Sequence, residues 1–406
     1  MENTKIGKGL FVDFSILIPF LILTFVGLVM VFSTTSFIQV VRGADPLRPV
    51  LNQAIWAALG IVAMFFIYRM KTSVIFNKRF VNFLMMLVFV LLVVTLLFAE
   101  PVNGARGWLQ TPVGNLQPAE YLKVLFPLYF SVTLAKNQRH IARHDWSDKL
   151  SLFAFPVILI LLIVVTPDLG NATILTLVTI AMILASGIAY RYAYAVLAAI
   201  IGGSTVMIEL ITLTRGAIFP AQFAYIYRRF AAIADTFNPE VFRDAGHQLG
   251  NSYIAIHNGG WFGLGLGNSI QKRGFLPEAQ TDFIFPITIE ELGLFAGLLI
   301  LAVLIFMICR MYLVSIRAQK AFNSLLAFGM ATVLLVSVFV NVGGVIGIIP
   351  STGVTFPFLS QGGNSLFVIT VTVAFVLNVS ADEARLRLDQ HVQYQHQMRM
   401  RQNSRQ

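Results

Sequence analysis

The chain has 406 residues, of which 57% are hydrophobic and only 12% are charged, and its mean hydropathy is +0.77. A chain this apolar cannot cover itself with a water-facing surface, so these values exclude an ordinary soluble globular protein and indicate a polytopic membrane protein. The net charge of +10 does not indicate nucleic-acid binding, because the basic residues are spread over short connections and a terminal segment, without a recognisable nucleic-acid-binding module.

Apolar runs of about the length that crosses a bilayer core of ~30 Å recur along the chain. Their apolarity is continuous and does not alternate with period two, which predicts helices and disfavours a β-barrel. The first run is too long for the apolar region of a cleavable signal, so it is predicted to be the first span. The predicted spans cover residues 14–32, 53–68, 81–98, 119–135, 150–165, 172–188, 193–213, 283–309, 325–349 and 364–379.

The predicted fold is therefore an all-α polytopic membrane protein of about ten transmembrane helices. A large outer loop, 212–285, separates the seventh and eighth predicted helices. Residues 1–380 form one predicted transmembrane domain, and residues 381–406 form a basic cytoplasmic tail that is predicted to be disordered beyond Arg385.

Basic residues mark every second connection between the predicted spans, from Lys5 and Lys8 at the start to the run between Arg385 and Arg405. By the positive-inside rule, these connections and both termini are predicted to be cytoplasmic. The alternate connections, including the large loop, then face outward and carry the residues suited to chemistry. The single cysteine, Cys309, excludes a thiolate metal cluster, and the sequence contains no ATP-binding motif.

The outer segment before the fourth predicted span carries three candidate site residues. Arg106 lies among glycines that permit tight turns, and Glu120 and Lys123 follow inside an apolar helix. As i,i+3 neighbours, Glu120 and Lys123 can neutralise each other in a structural pair. Alternatively, Lys123 presents its charge to an anionic substrate or to another buried carboxylate. The sequence leaves both interpretations open.

Two further candidates lie in later outer segments. Asp168 occupies a very short connection, where it either caps the helix that begins near Asn171 or takes part in a site. In the large loop, residues 223–233 have helical spacing that predicts a helix lying in the membrane interface. Its residues Arg228 and Arg229 either anchor that helix or bind a phosphate through their planar guanidinium groups.

The large loop ends in a carboxylate, Asp282, at the mouth of the eighth predicted span. An acid at the membrane edge is energetically expensive, which makes Asp282 the candidate catalytic residue, although an N-cap role would satisfy the local geometry equally well. The later outer segment 350–365 is rich in proline, glycine and hydroxyl residues. Irregular backbone at membrane depth is tolerated where it lines a cavity, so Ser360 in this segment is a candidate substrate-binding residue.

Several ordered motifs give the chain a family resemblance over essentially its whole length. They are Asn103-Gly104-Ala105-Arg106, Gln117-Pro118-Ala119-Glu120 with Lys123, Pro167-Asp168-Leu169-Gly170, Thr281-Asp282-Phe283-Ile284-Phe285, Glu290-Glu291-Leu292-Gly293, Gly344-Val345-Ile346-Gly347, Thr352-Gly353 and Gly362-Gly363. In these motifs the chain resembles the SEDS family of shape, elongation, division and sporulation proteins. The resemblance implies a peptidoglycan glycosyltransferase that polymerises lipid II on the outer face of the cytoplasmic membrane. It also implies that the acid at Asp282 is required for polymerisation.

The chemistry of the residues agrees with that implication. A carboxylate in a membrane-edge cavity can act as the general base that takes a proton from the acceptor's 4-hydroxyl. Arg106, Lys123 or the loop arginines would stabilise the departing lipid pyrophosphate. Attack opposite an α-linked pyrophosphate inverts the anomeric carbon and gives a β-1,4 glycan. A Mg²⁺ or Mn²⁺ ion near Asp282 and the pyrophosphate would suit these oxygen ligands, but no sequence motif requires one.

The resemblance also implies partners and a cellular location. Family members work with a single-span class B penicillin-binding protein that cross-links the new strand, so this transpeptidase and other division proteins are the expected partners. The opening motifs, Asp13 to Pro19 and Val31 to Ser36, look more like the division branch of the family than the elongation branch, which predicts the septum as the location. A lipid II flippase is less favoured because the candidate residues cluster on the outer side. A pure scaffold is least favoured because it would bury charge without need.

Overall fold

The computed structural model describes residues 11–100, 107–111, 114–138, 151–188, 224–243 and 246–403, with a few isolated positions between 194 and 214. The first helices are α1 (Phe14–Val41), α2 (Arg48–Arg69), α3 (Thr72–Ile75) and α4 (Lys78–Phe98). An antiparallel hairpin of β1 (Leu109–Thr111) and β2 (Gly114–Leu116) precedes α5 (Pro118–Lys136), α6 (Ser151–Val165) and α7 (Leu169–Ala185). The remaining elements are α8 (Ala224–Ala234), α9 (Pro239–Phe242), α10 (Gly246–Gly259), a short 3₁₀ helix (Gln271–Arg273), α11 (Ile284–Arg317), α12 (Ala321–Val345) and α13 (Gly363–Asn403).

The prediction of an all-α membrane protein is confirmed, and the small hairpin is an addition that the sequence did not indicate. Within the described residues, six helices are long and apolar enough to cross a membrane: α1, α2, α4, α11, α12 and α13. α5, α6 and α7 coincide with three more of the predicted spans. The seventh predicted span, 193–213, lies mostly outside the described residues, so the count of ten stays a prediction.

α12 and α13 form the centre of the helix bundle. α12 packs against α5, α7 and α11, whereas α13 packs most extensively against α2. The apolar windows of α12 and α13 are largely buried, as expected for helices surrounded by other helices. α2 and α4 instead expose large side chains such as Phe66 and Phe83, because they lie at the periphery where lipid would cover them.

Local sequence explains where several helices begin. Asp13 caps α1, with its Oδ1 accepting a hydrogen bond from the backbone nitrogen of Ser15 at 3.1 Å. Asn77 caps α4 in the same way. Pro118 is the first residue of α5, a position where the missing N–H is no loss and the fixed φ angle suits the helix.

α11 is interrupted at Gly293, whose φ of 87° and ψ of 162° form a backbone conformation that only glycine adopts readily. The loop after α10 packs into this break. The backbone nitrogens of Leu264 and Gly265 donate hydrogen bonds to the carbonyl oxygens of Glu290 and Glu291, each at 2.9 Å. The loop thus satisfies carbonyls that the interrupted helix leaves free, which is the condition for irregular backbone at membrane depth.

The prediction that the C-terminal segment is disordered is wrong for the described residues. α13 continues without interruption for 41 residues, about 60 Å, which is roughly twice the thickness of a bilayer core. Residues 364–403 contain neither glycine nor proline and include many strong helix formers. The side-chain amides of Gln319 and Gln390 exchange two hydrogen bonds, at 3.1 and 2.9 Å, which tie this extension to the turn after α11.

Candidate active site

Asp282 lies in the turn immediately before α11 and is half-buried. Its carboxylate lies beside Gly353, where a Cβ atom would be 3.5 Å from the Asp282 Oδ2 atom. Its backbone carbonyl accepts a hydrogen bond from Nδ2 of Asn341 at 2.8 Å. The alternative role as an N-cap is not observed, because Phe283 occupies the cap position and α11 begins without a side-chain cap among the described residues. The carboxylate of Asp282 is therefore not used to cap the start of α11.

The segment between α12 and α13 is fastened to the loop that carries Asp282. The hydroxyl of buried Ser360 donates to the carbonyl oxygen of Thr281 at 2.6 Å and accepts from the backbone nitrogen of Phe356 at 2.8 Å. The rings of Phe285 and Phe356 stack with their centroids 4.9 Å apart. These contacts favour a positioning role for Ser360, and direct substrate binding by this residue stays a prediction.

The surroundings of Asp282 disfavour its charged form. Burial raises the pKa of this carboxyl, the neighbouring Glu278 carboxylate raises it further, Arg229 lowers it, and Asp168 has a smaller raising effect. The result is a pKa raised from 3.8 to about 7. A carboxyl with a pKa near neutrality is present in both forms at pH 7, which suits a group that takes a proton and then releases it.

Arg229 of α8 turns toward Asp282. Its guanidinium donates a hydrogen bond to the backbone carbonyl of Ser351, and its positive charge lowers the pKa of Asp282. Arg228, the preceding residue, is exposed, and its charge is not among those that shift the pKa of Asp282. The helix predicted at 223–233 is confirmed as α8. The structure therefore brings one of the two loop arginines to the carboxylate, and phosphate binding by either stays a prediction.

Asp168 stands next to this group as the N-cap of α7. Its Oδ1 accepts from the backbone nitrogen of Asn171 at 3.1 Å, and its Oδ2 accepts from the side-chain amides of Asn171 and Gln117 at 2.8 and 3.0 Å. Burial raises the pKa of Asp168, the Asn171 hydrogen bonds lower it, and the charges of Glu120 and Lys123 act in opposite directions. The capping role is thus observed, and a role of Asp168 in substrate binding stays a prediction.

Lys123 forms its ion pair with Glu120, not with Asp282. The Lys123 Nζ atom lies 2.6 Å from Glu120 Oε1, and the two side chains are 5% and 7% exposed. The other carboxylate oxygen, Glu120 Oε2, is buried without a hydrogen-bond partner among the described residues, which is unusual for a buried polar atom. The structure therefore shows the ion pair between Glu120 and Lys123, and a substrate contact by Lys123 stays a prediction.

Sequence reasoning missed a second buried charged cluster beside the interruption of α11. Lys272 Nζ lies 2.6 Å from Glu291 Oε1, and the hydroxyl of Ser33 donates to Glu291 Oε2 at 2.6 Å. The adjacent Glu290 accepts from the side-chain amide of Asn258 at 3.0 Å. These groups are saturated with partners, so the cluster joins the loop to α1 and α11. Two adjacent acids in an apolar span were the available signal, because each needs a partner there.

Two of the predictions concern groups that the structure does not place. Arg106 lies outside the described residues. Among the described residues, no cluster of three or more His, Cys, Asp and Glu side chains is arranged to hold a metal ion. A Mg²⁺ or Mn²⁺ ion therefore stays a prediction in which Asp282 and oxygens of the substrate would be the ligands.

The fold and the site define a helical multi-pass membrane protein. Its candidate site holds an ionisable carboxylate, Asp282, immediately before α11. Residues 14–385 match the family model of the FtsW, RodA and SpoVE proteins, described as cell cycle proteins. The chain belongs to this family, which is the SEDS family that its motifs resemble.

A relative from Lactococcus lactis subsp. lactis (strain IL1403), named probable peptidoglycan glycosyltransferase FtsW, is 45% identical over 405 residues, covering 94% of this chain and 95% of the relative. A solved chain of a peptidoglycan synthase complex that coordinates polymerization and crosslinking aligns with a TM-score of 0.71 and 21% identity, covering 92% of this chain and 98% of that one. RodA of Thermus thermophilus aligns with a TM-score of 0.64 and 21% identity, covering 92% and 97%. At these identities, the two solved structures establish a shared fold.

Proposed function

We propose that this chain is a peptidoglycan glycosyltransferase that polymerises lipid II into β-1,4 glycan strands with inversion at the anomeric carbon. The observation that carries the proposal is the Asp282 carboxyl, which is half-buried next to the start of α11 and has a pKa of about 7. Such a group is suited to act as a general base at neutral pH. The name of the 45% identical relative supports the same class of reaction.

In the proposed reaction, the 4-hydroxyl oxygen of the acceptor sugar attacks the anomeric carbon of the donor. The new carbon–oxygen bond forms as the bond to the lipid pyrophosphate breaks, and the bonding electron pair leaves with the pyrophosphate. Deprotonated Asp282 takes the proton of the attacking hydroxyl and later releases it to solvent. Because a single displacement inverts the anomeric centre, one carboxylate suffices and no covalent intermediate forms.

Negative charge that develops on the leaving pyrophosphate requires positive charge nearby. Arg229 is the described cation that acts directly on Asp282, and its hydrogen bond to Ser351 holds it at the site. Lys123 shares its charge with Glu120, so its effect on a substrate would be partly neutralised. Arg106 and Arg228 are proposed contacts from the family resemblance and from guanidinium chemistry. A bound divalent cation would supply further charge neutralisation at the pyrophosphate.

We place this activity on the outer face of the cytoplasmic membrane at the division septum, with both termini in the cytoplasm. The distribution of basic residues supports this orientation. Similarity to a relative named FtsW supports a role in division, and an elongation polymerase of the RodA type is the alternative. A class B penicillin-binding protein is the proposed partner, supported by the likeness to a chain of a peptidoglycan synthase complex. Other division proteins are proposed partners on the same grounds, and nucleic acid is not a proposed partner.

A lipid II flippase is the alternative from another class. It would need a charged path through the bundle for the pyrophosphate head group. The buried lysines that the structure describes, Lys123 and Lys272, instead form closed pairs with Glu120 and Glu291. Because these groups already neutralise one another, the arrangement supports catalysis at one end of the bundle over transport through it.

The test is polymerisation of lipid II by the purified protein, with and without its cognate transpeptidase, with the products resolved on a gel. Wild type is compared with Asp282→Ala and with Asp282→Asn, which preserves size but cannot accept the proton. We expect long glycan from wild type and none from either variant, at unchanged thermal unfolding temperatures. Glu278→Gln, which neutralises the neighbouring carboxylate of the same loop, is the matched control and should still polymerise.

Polymer from Asp282→Asn would contradict the role of Asp282 as the base. Absence of polymer from wild type even with the partner, together with translocation of lipid II in vesicles, would support the flippase instead.

A further inference from the structure

A basic cleft lies at the end of the bundle where α1 begins and α13 continues beyond the membrane. The cleft encloses about 50 Å³, and it is lined by Asp13, Arg310, Leu313, Val314, Arg317, Ser380, Glu383 and Arg387. On α11 the lining residues follow the spacing i, i+3, i+4, i+7, and on α13 they follow i, i+3, i+7. Two helices therefore present one continuous stripe each to the same cleft.

The two carboxylates that line the cleft already have other partners. Asp13 accepts from the backbone nitrogen of Ser15 at 3.1 Å and lies 3.7 Å from a guanidinium nitrogen of Arg310. Glu383 is buried and accepts from the backbone nitrogen of Gln319 at 2.8 Å and from the side-chain amide of Asn323 at 2.7 Å. Asp13 offsets the charge of Arg310, whereas the donors to Glu383 are uncharged and leave its negative charge in place, so three arginines and two carboxylates give the lining a net charge of +1.

Arg317 and Arg387 carry the positive charge of the cleft that is not held in a close ion pair. Among the described residues, neither Arg317 nor Arg387 forms an ion pair. Both are exposed at the rim, while Arg310 is half-buried and donates from Nε to the hydroxyl of Ser15 at 2.6 Å. Three guanidinium groups around one small cleft form a set of donors whose geometry suits the oxygens of a phosphate.

The place of the cleft along the helices indicates where such a phosphate would lie. After its interruption at Gly293, α11 continues for 24 residues to Arg317, about 36 Å, which exceeds the ~30 Å of a bilayer core, so its last turn extends into the headgroup region. Leu313 and Val314 give the cleft an apolar wall beside its basic rim. A phosphate that carries an apolar group would satisfy both surfaces at once.

We propose that this cleft between α11 and α13 binds a phosphate group, either the headgroup phosphate of an anionic membrane lipid or that of a soluble phosphate compound. Arg317 and Arg387 contact the phosphate oxygens, and Arg310 stays bonded to Ser15 and Asp13 at the base of the cleft. The site is separate from the candidate active site, which Asp282 marks at the other end of α11. A phosphate bound there would bridge Arg317 of α11 and Arg387 of α13.

The experiment uses the full chain reconstituted in vesicles of equimolar phosphatidylglycerol and phosphatidylcholine. After extraction, mass spectrometry of the intact protein measures how much of each lipid remains bound. Arg317→Gln with Arg387→Gln removes the two rim charges. Arg79→Gln with Arg385→Gln is the matched control, because it removes the same net charge from residues that do not line the cleft.

Each arginine near an anionic lipid contributes roughly fivefold to binding, so the cleft variant should retain phosphatidylglycerol about thirtyfold more weakly than wild type. The control should retain it like wild type. In a second arm, excess inorganic phosphate or glycerol 3-phosphate is added during extraction. Displacement of the lipid at low phosphate concentration would support a soluble source, and resistance to displacement would support the lipid.

Equal loss in the cleft variant and the control would overturn the proposal, because general surface charge would then explain the binding. Unchanged lipid retention in the cleft variant, or binding of neither lipid nor phosphate to wild type, would overturn it as well. Thermal unfolding of each variant shows whether the comparison is made between folded proteins.

Discussion

Asn341 joins the loop of Asp282 to the segment that follows α12. Its side-chain nitrogen donates to the carbonyl oxygen of Asp282 at 2.8 Å and to the carbonyl oxygen of Val354 at 2.6 Å. One amide near the C-terminal end of α12 thus sets the distance between the two segments that surround the candidate carboxylate. Nothing in the local sequence around Asn341 indicates this contact, because Val354 and Asp282 are 13 and 59 positions away.

We expect Asn341→Leu to reduce the polymerisation rate by at least about tenfold. The change leaves two buried carbonyl acceptors without their donor, at a cost of roughly 1–3 kcal/mol each, and frees the turn that holds Asp282. The initial rate of lipid II polymerisation and the thermal unfolding temperature are measured together. Ser337→Ala is the control, because its hydroxyl is buried in the same helix and bonds only to the carbonyl of Val333 at 2.8 Å. A normal rate in Asn341→Leu would show that the contact does not position the carboxylate.

The polymerisation rate should depend on the protonation of Asp282. Only the deprotonated carboxylate can accept the proton, and its pKa is about 7, so activity should rise as the pH rises through about 7 and level off above it. The measurement is the initial rate at low lipid II concentration between acidic and mildly alkaline pH. An ordinary carboxyl with an unperturbed pKa would instead give a flat profile across this range.

Glu278→Gln should move the pH at which the polymerisation rate rises to a lower value. Glu278 is the second largest cause of the raised pKa of Asp282, so removing its negative charge favours the deprotonated form of Asp282. The same pH series measures the shift. Glu240→Gln is the control, since it removes an exposed carboxylate of α9 that does not affect the pKa of Asp282. If the rate of Glu278→Gln rises at the same pH as that of wild type, a group other than Asp282 controls the pH dependence.

Substitution of the Glu120–Lys123 pair separates a structural role from a substrate contact. Lys123→Met alone leaves a buried carboxylate without its partner and should destabilise the protein by roughly 3–5 kcal/mol. Glu120→Leu with Lys123→Met replaces the whole pair and should restore most of the thermal stability. If Lys123 also contacts lipid II, the double variant stays inactive although it is folded. Full polymerisation by the double variant would limit the pair to a structural role.

Gly293→Ala should prevent correct assembly of the loop that packs into the interruption of α11. A Cβ atom at Gly293 would lie 2.3 Å from the backbone carbonyl oxygen of Trp261, and the φ of 87° is itself unfavourable for alanine by roughly 1–3 kcal/mol. Size-exclusion profiles and thermal unfolding in detergent measure the effect. Gly362→Ala is the control, because its Cβ atom would make only an ordinary contact, 3.5 Å from the Cβ atom of Ser365. A stable Gly293→Ala variant would contradict the conformation described for this break.

The candidate site was partly readable from the sequence. Asp282 was found because an acid directly before an apolar run is energetically costly and is therefore usually functional. Asp168 and the Glu120–Lys123 pair were found for the same reason, but the sequence left their roles open. Glu278 and Asn341 were missed, since a glutamate in a polar loop and an asparagine in an apolar helix each have many ordinary explanations.

The sequence by itself determined that the chain enters a membrane, where most of its spans lie and that an acid stands at the mouth of one of them. These properties depend on local composition, because apolar runs of sufficient length partition into the bilayer whatever their neighbours are. Only the tertiary structure decided that Lys123 pairs with Glu120, that the charge of Arg229 rather than that of Arg228 lowers the pKa of Asp282, and that this pKa is about 7. Each of these depends on burial or on how side chains are oriented toward neighbouring segments, and distances between side chains exist only once the helices have packed.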